Sequence, residues 1–356
     1  MNDTYTETIQ RLISESPFEI DTELQITGRI PTLATSAFLT NKQQGDWAEE
    51  IVCNAINEYS QEYRALKYGR DDSLDAGDPG FREFYAAYQD ELNSVGKKPD
   101  ILIFHRSDVA SESIHDLEDT EFVQSAIAAI EVRSSSFLAT RYSDFMSERT
   151  HRAEAECAHI QRAILQEPYA DLLREKRPHL YKIISEASID TFREFDFVAR
   201  GWYSSQTLRE LSQYLKDLKE QTKILQRRDY LSITPKLEDI SVVNRWIQNF
   251  GVPHYYLQVF FDKGYIIPLK DILELTADSR NEDVIFSVER NVKNQGKTTI
   301  NMNIQVGREV IRRIDMPEHQ SAVKEQQRGR LLFYVTFQGG KGYLDPEVFS
   351  QEVANG

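Results

Sequence analysis

The sequence predicts an α/β fold: a mixed central sheet flanked by helices, with a helical insertion and a β-rich C-terminal region. Three observations predict it. Short apolar runs that suit strands (KKPDILIF, AIAAIEVRSS, PHYYLQVFFDKGYIIP) alternate with helical stretches along the chain. Residues 147–226 are dominated by helical patterns instead, as in SERTHRAEAECAHIQRAILQ and TLRELSQYLKDLKEQTKILQ. The last third alternates short strands with turns, as in KTTINMNIQVGREV and RLLFYVTFQGG. The expected division is an N-terminal arm over 1–43, a core over 44–280 with the insertion at about 140–226, and a C-terminal region over 281–356 packed on the core.

Taken in order, a first helix is expected around Tyr5–Ser14, followed by the loop-rich TGRIPTLATSAFLTNKQQ. A stronger helix is expected from about Asp46 to Tyr59, where Trp47, Ile51, Ala55 and Tyr59 recur at helical spacing. Residues 63–69 suit a short strand, and GRDDSLDAGDPG must be a loop because Asp, Gly and Pro dominate it. Pro99 punctuates the chain just before a strand that starts near Asp100. A polar connection over 105–121 leads to the strand AIAAIEVRSSS. After the helical block, YLSITPK reads as a strand and LEDISVVNRWIQNF as a helix. Glu238 or Asp239 falls in that helix's first turn, where the helix dipole favours negative charge. PHYYLQVFFDKGYIIP reads as core strand, with a turn at Asp262–Gly264.

Composition narrows the class. With 40% hydrophobic and 28% charged residues, the chain is an ordinary globular one. No stretch approaches the roughly 18–20 uninterrupted apolar residues of a membrane span, and the N-terminal residues show no basic leader followed by an apolar run. Cys53 and Cys157 are too few for a disulfide framework or a cysteine zinc site, so a cytoplasmic home is expected. The net charge of −15 runs against the basic surplus usual in nucleic-acid binders. Overall charge governs solubility more than site chemistry, however, and residues 290–330 hold nine Lys/Arg against four acids.

The chemistry concentrates in three acids. Strand alternation puts Ile127, Ala129, Glu131, Arg133 and Ser135 on one face, with Ile130 and Val132 on the other. A glutamate and an arginine therefore stand side by side at the end of an apolar strand. Asp100 opens the preceding strand, where a carboxylate is costly without a cationic partner or a metal. On the Trp47 helix, a projection at about 100° per residue leaves Glu49 at the border of the apolar face and Glu50 further out. Hard carboxylate oxygens are what Mg²⁺ prefers.

Pro99–Asp100, followed by Glu131–Val132–Arg133, resembles the PD-(D/E)xK nuclease superfamily, whose PD dipeptide precedes one strand and whose E-x-K triplet ends the next. Gly45-Asp46-Trp47-Ala48-Glu49 fits the G-x-x-x-E pattern of its upstream helix. Together with SITPKLED and VPHYYLQVFFDKGY, these segments resemble type II restriction endonucleases of the AccI type over roughly residues 40–270. The resemblance implies a restriction-endonuclease-like core in which YLSITPK is the fourth strand and the helical block an insertion before it. It implies cleavage of double-stranded DNA at a short palindrome, of the degenerate GTMKAC kind, by a homodimer within a restriction–modification system, with no nucleotide cofactor. Asp100, Glu131 and Glu49, with the Val132 carbonyl, would hold one or two Mg²⁺ ions. Arg133 stands where the pattern expects lysine; it keeps the charge but cannot give up its proton, which leaves it phosphate stabilisation or positioning. Lys236 is the fallback source of an ammonium group. Ser134, Ser135, Lys297, Arg308 and Arg312 are the candidate DNA contacts.

Other readings stay open at this point. A structure-specific repair or junction nuclease could use the same core, and Arg133 leaves room for a DNA-binding protein without catalysis. His151 and His159, eight residues apart on a helix, are too far apart for one metal ion and read as surface or packing residues.

Overall fold

Two apolar strand sequences, ILIFH and AAIEVRS, set the architecture because both of their faces are buried. The computed structural model describes residues 4–28, 30–69, 73–109, 117–291 and 297–355, apart from the side chains of residues 290, 291, 297 and 355. The chain forms two compact units, Thr140–Leu231 and the remainder.

The larger unit begins with α1 (Tyr5–Glu15), α2 (Ser36–Tyr59), β1 (Tyr63–Lys67), α3 (Phe81–Ser94), β2 (Ile101–His105), α4 (Thr120–Gln124) and β3 (Ala128–Ser134). The smaller unit holds α5, which starts at the boundary (Ala139–Ile164), α6 (Tyr169–Lys176), α7 (Pro178–Glu186) and α8 (Gln206–Gln226). Its own core includes Cys157, Leu173, Ile184, Leu211 and Leu215. The larger unit resumes with β4 (Ser232–Ile233), α9 (Leu237–Phe250), β5 (His254–Val259), β6 (Gly264–Pro268) and α10 (Leu269–Ala277). It closes with β7 (Phe286–Asn291), β8 (Lys297–Asn303), β9 (Arg308–Ile314), β10 (Glu318–Gln326), β11 (Arg330–Gln338), β12 (Gly342–Leu344) and α11 (Pro346–Asn355).

Among the described residues, the central sheet has the order β1-β2-β3-β5-β6-β9-β12. It is mixed, as expected: β3 and β5 run parallel and the other neighbours antiparallel. Alternation sends Leu102, Phe104, Ala129 and Tyr256 to one core, which Ile240, Val243, Trp246 and Ile247 of α9 complete. Ile101, Ile103, Ala128, Ile130 and Leu257 point to the other core, closed by Trp47, Ile51, Val52 and Ala55 of α2 and Phe349 of α11. Each Val, Leu, Ile or Phe side chain among them contributes about 1.5–3 kcal/mol on burial.

Three expectations need correction. YLSITPK does not supply the fourth strand of the core. Its β4 pairs with β8 in a separate three-stranded sheet, and β5 is the strand beside β3. Nor is Lys236 on a strand; it is the N-cap residue of α9. Helix α2 starts ten residues earlier than the apolar spacing indicates, because Thr35 caps it by accepting the Phe38 N–H at 3.1 Å. The described residues include no helix long and apolar enough to cross a membrane.

Candidate active site

The register of β2 on β3 builds the site. Ile101 lies opposite Ile130, and the Asp100 N–H donates to the Ile130 carbonyl at 3.1 Å. Carried one residue outward, this pairing sets Asp100 opposite Glu131, on the face covered by α9. The Asp100 backbone is pinned from the other side as well, its carbonyl accepting the N–H groups of Tyr68 and Gly69 at 2.9 and 3.1 Å. Its Oδ2 accepts the Val132 N–H at 2.7 Å.

Glu131 is 2% exposed, and its two oxygens differ. Oε1 receives the Lys97 ammonium and lies 3.2 Å from Arg133 Nη2. Oε2 is buried with no hydrogen-bond partner among the described residues. Both cations are also held from α9, where Asp239 Oδ2 stands 2.9 Å from Arg133 Nη2 and 3.6 Å from Lys97 Nζ. The neighbouring acid in that helix turn, Glu238, faces elsewhere and accepts the Thr298 N–H at 2.7 Å.

These carboxyls titrate differently although they share one site. Burial, then the charges of Glu131 and Glu49, pushes the Asp100 carboxyl well above the usual carboxylate range. Burial acts on Glu131 in the same sense, but Lys97 and then Arg133 overcome it and hold that carboxyl below its usual range. Asp239 is likewise held low, against its burial, by Lys97 and Arg133. Burial disfavours the Lys97 ammonium, and Glu131 more than compensates, which raises its pKa.

An open cleft of 610 Å³ gives access to this cluster, lined by Glu49, Lys97, Asp100, Glu131, Val132 and Arg133 among others. Glu49 is half-buried and Glu50 exposed, the order that the helical projection expects. The structure thus brings Asp100, Glu131, Val132, Arg133 and Glu49 to one cleft. Among the described residues, however, no three His, Cys, Asp or Glu side chains form a ready metal cage. The expected three-carboxylate set is therefore not preassembled. The donor chemistry still suits Mg²⁺, which commonly uses one or two carboxylates and keeps several waters. The orphaned Glu131 Oε2 is a buried acceptor that such an ion would satisfy.

Lys236 does not line the cleft, and it is Lys97 that meets Glu131; the charge of Lys236 acts on Asp239 instead. Ser134 and Ser135 are half-buried just past the cleft, the Ser135 N–H donating to the Val259 carbonyl at 2.9 Å. Arg308 and Arg312 stand exposed on β9, near Glu352 (3.7 Å) and in contact with Asp345. The basic segment is not one continuous cationic face. Arg313 pairs with Asp315 at 3.3 Å, and Lys324 is tied to Asp75 and Asp78 at 2.5 and 2.7 Å. Lys293 and the side chains of Arg290 and Lys297 lie outside the described residues.

Sequence reasoning missed Lys97 and gave Asp239 only a helix-dipole role. The available signal was a lysine three residues before Asp100. No curated protein and no solved structure matches the chain. A family model for the AccI restriction endonuclease matches residues 3–354, nearly the whole chain. This chain, whose Asp100 and Glu131 line one cleft, belongs to the AccI restriction endonuclease family, whose members are DNA-hydrolysing nucleases.

Proposed function

We propose that the protein is a Mg²⁺-dependent type II site-specific deoxyribonuclease on a PD-(D/E)xK core, cutting both strands of a short palindromic duplex site as part of a restriction–modification system. The observation that carries this reading is the opposed pair Asp100 and Glu131 in one cleft, with one Glu131 oxygen buried and unpartnered. Asp100 and Glu131 would hold the ion, with Glu49 and the Val132 carbonyl as further donors. Mg²⁺ bound there supplies a water of lowered pKa and offsets charge on the phosphate.

The protein groups do the rest. Arg133 keeps its proton, so it steadies the scissile phosphate rather than acting as base. Ser134, Ser135, Lys297, Arg308 and Arg312 contact DNA backbone, a local role that the overall charge of −15 does not oppose. A palindrome presents the same cleavage chemistry on both strands, which a two-fold homodimer matches with one cleft per strand.

Incubation of the purified protein with phage DNA, with and without Mg²⁺, followed by end sequencing, tests the reading. Discrete fragments whose ends share one short palindromic pattern are expected, and cutting confined to branched DNA would replace it with a structure-specific nuclease. Asp100→Ala and Glu131→Ala are each expected to lower cleavage on the order of 10³-fold or more, the scale of several kcal/mol of lost metal assistance. Both should retain Ca²⁺-supported DNA binding; full cutting by either variant refutes the site.

A further inference from the structure

Lys97 stands on a fixed base between two carboxylates. Its N–H donates to the Val242 carbonyl of α9 at 2.9 Å. Gly96, just before it, has φ +98°, and a Cβ there would come within 2.4 Å of the Val242 carbonyl oxygen and the Trp246 nitrogen. The backbone is thus held against the helix, and the flexible four-carbon side chain is what can swing. Its ammonium contacts Glu131 Oε1 and is 3.6 Å from Asp239 Oδ2. Arg133 bridges the same two oxygens, so both seats stay in place whichever one Lys97 uses.

We infer that Lys97 is a positioning residue that sits on the Glu131 carboxylate until a divalent cation takes that carboxylate, and then seats on Asp239. The inference rests on the metal-dependent nuclease reading and deepens it. An ammonium and a divalent cation on one buried carboxylate oppose each other, so Lys97 raises the cost of cation entry. Asp239 lowers that cost, because the displaced ammonium is not left buried and unpaired. Glu131, Lys97 and Asp239 thereby couple the state of the cleft to α9.

Calorimetric titration of the full chain with Ca²⁺, in the absence of DNA, tests this without relying on cleavage. Lys97→Met is expected to tighten Ca²⁺ binding on the order of tenfold, the scale of one charge-assisted hydrogen bond. Asp239→Asn is expected to weaken it by a similar factor. The double variant should stay close to Lys97→Met, since Asp239 acts here through the lysine. Unchanged or weaker Ca²⁺ affinity in a folded Lys97→Met protein overturns the inference, as do additive effects in the double variant. If Lys97→Met does not fold, Asp239→Asn decides alone: no weakening overturns the inference. Affinity shifts as stated in a protein that cuts no DNA would uphold the role of Lys97 while sinking the nuclease reading. Ca²⁺ binding indifferent to Glu131→Gln would sink both.

Discussion

Lys97 and Lys324 each meet two carboxylates, yet the two clusters are built differently. Around Lys324, Asp75 and Asp78 face two ammonium groups, because Lys42 also reaches Asp75 Oδ1 at 2.9 Å. Their remaining capacity is used locally, Asp78 Oδ2 also accepting the Asp75 N–H at 2.9 Å. That cluster is charge-balanced. It ties the loop before α3 to the β10–β11 hairpin and to α2. Around Lys97, Glu131 and Asp239 share Lys97 and Arg133, and the charge of Lys236 also acts on Asp239. Asp100 and Glu49 add further negative charge, and Glu131 Oε2 has no hydrogen-bond partner among the described residues. Burial, then the charges of Glu131 and Glu49, pushes the Asp100 carboxyl up, whereas Asp75 is held below its usual range as Lys324 and Lys42 overcome its burial. Both clusters have the same ingredients. On the proposed reading, the open, unbalanced one is the seat of a divalent cation.

Removing Lys324 gives the comparison its largest test. Lys324→Met leaves two mostly buried aspartates with one ammonium between them and is expected to cost about 3 kcal/mol of stability. Chemical denaturation reads that loss as a lower midpoint with an unchanged slope. Cleavage per folded molecule should stay near wild type. A folded Lys324→Met protein that binds DNA and cannot cut it would place this cluster in the chemistry and dissolve the contrast.

Asp100 sharpens it in the other direction. A carboxyl raised by folding binds its proton more tightly in the native state than in the unfolded one. Its ionisation therefore costs stability as pH rises from the ordinary value of 3.8 toward the raised native one. Asp100→Asn keeps an acceptor for the Val132 N–H and removes the ionisable charge. We expect it to abolish cleavage and to raise the melting temperature at neutral pH, with a gain that shrinks as pH falls toward 3.8. A melting temperature lowered at neutral pH would show that Asp100 is held for packing. The trade of stability for activity is common where an active site stores uncompensated charge.

How much of this was legible in the sequence depends on how local the cause is. Helix α9 has its expected limits because its apolar stripe is long and Gly251, in the left-handed region at φ +72°, ends it. The opposed Asp100 and Glu131 follow from alternation within two adjacent strands. Helix α3 has no counterpart among the expected elements, although Phe81, Phe84, Tyr85, Tyr88 and Leu92 recur at helical spacing; its stripe is mostly aromatic and only Leu92 is fully buried. The first turns of α2 hide in the polar run TNKQQG, and the two-residue β4 is too short for its sequence to choose a sheet. The partners of Glu131 are long-range. Lys97 meets it from 34 residues upstream, and Arg133 meets Asp239 across 106 residues of chain. Pairings of that kind are set by how α9 lies over the strands, which periodicity does not encode.

The smallest expected effect lies at β9, where the charges are exposed. Arg312 contacts Asp345; the arginine side chain is 69% exposed and the carboxylate 9%, so water still hydrates the guanidinium and limits what the pair contributes. Arg312→Ala is expected to change stability by less than about 1 kcal/mol. If Arg312 contacts a phosphate, the same substitution weakens DNA binding about equally across sequences and lowers the slope of log affinity against log salt by about one. An unchanged slope assigns Arg312 to the Asp345 pair alone and removes it from the DNA surface. Salt dependence separates the two roles because an internal ion pair releases no counterions from DNA when it breaks, whereas a phosphate contact does.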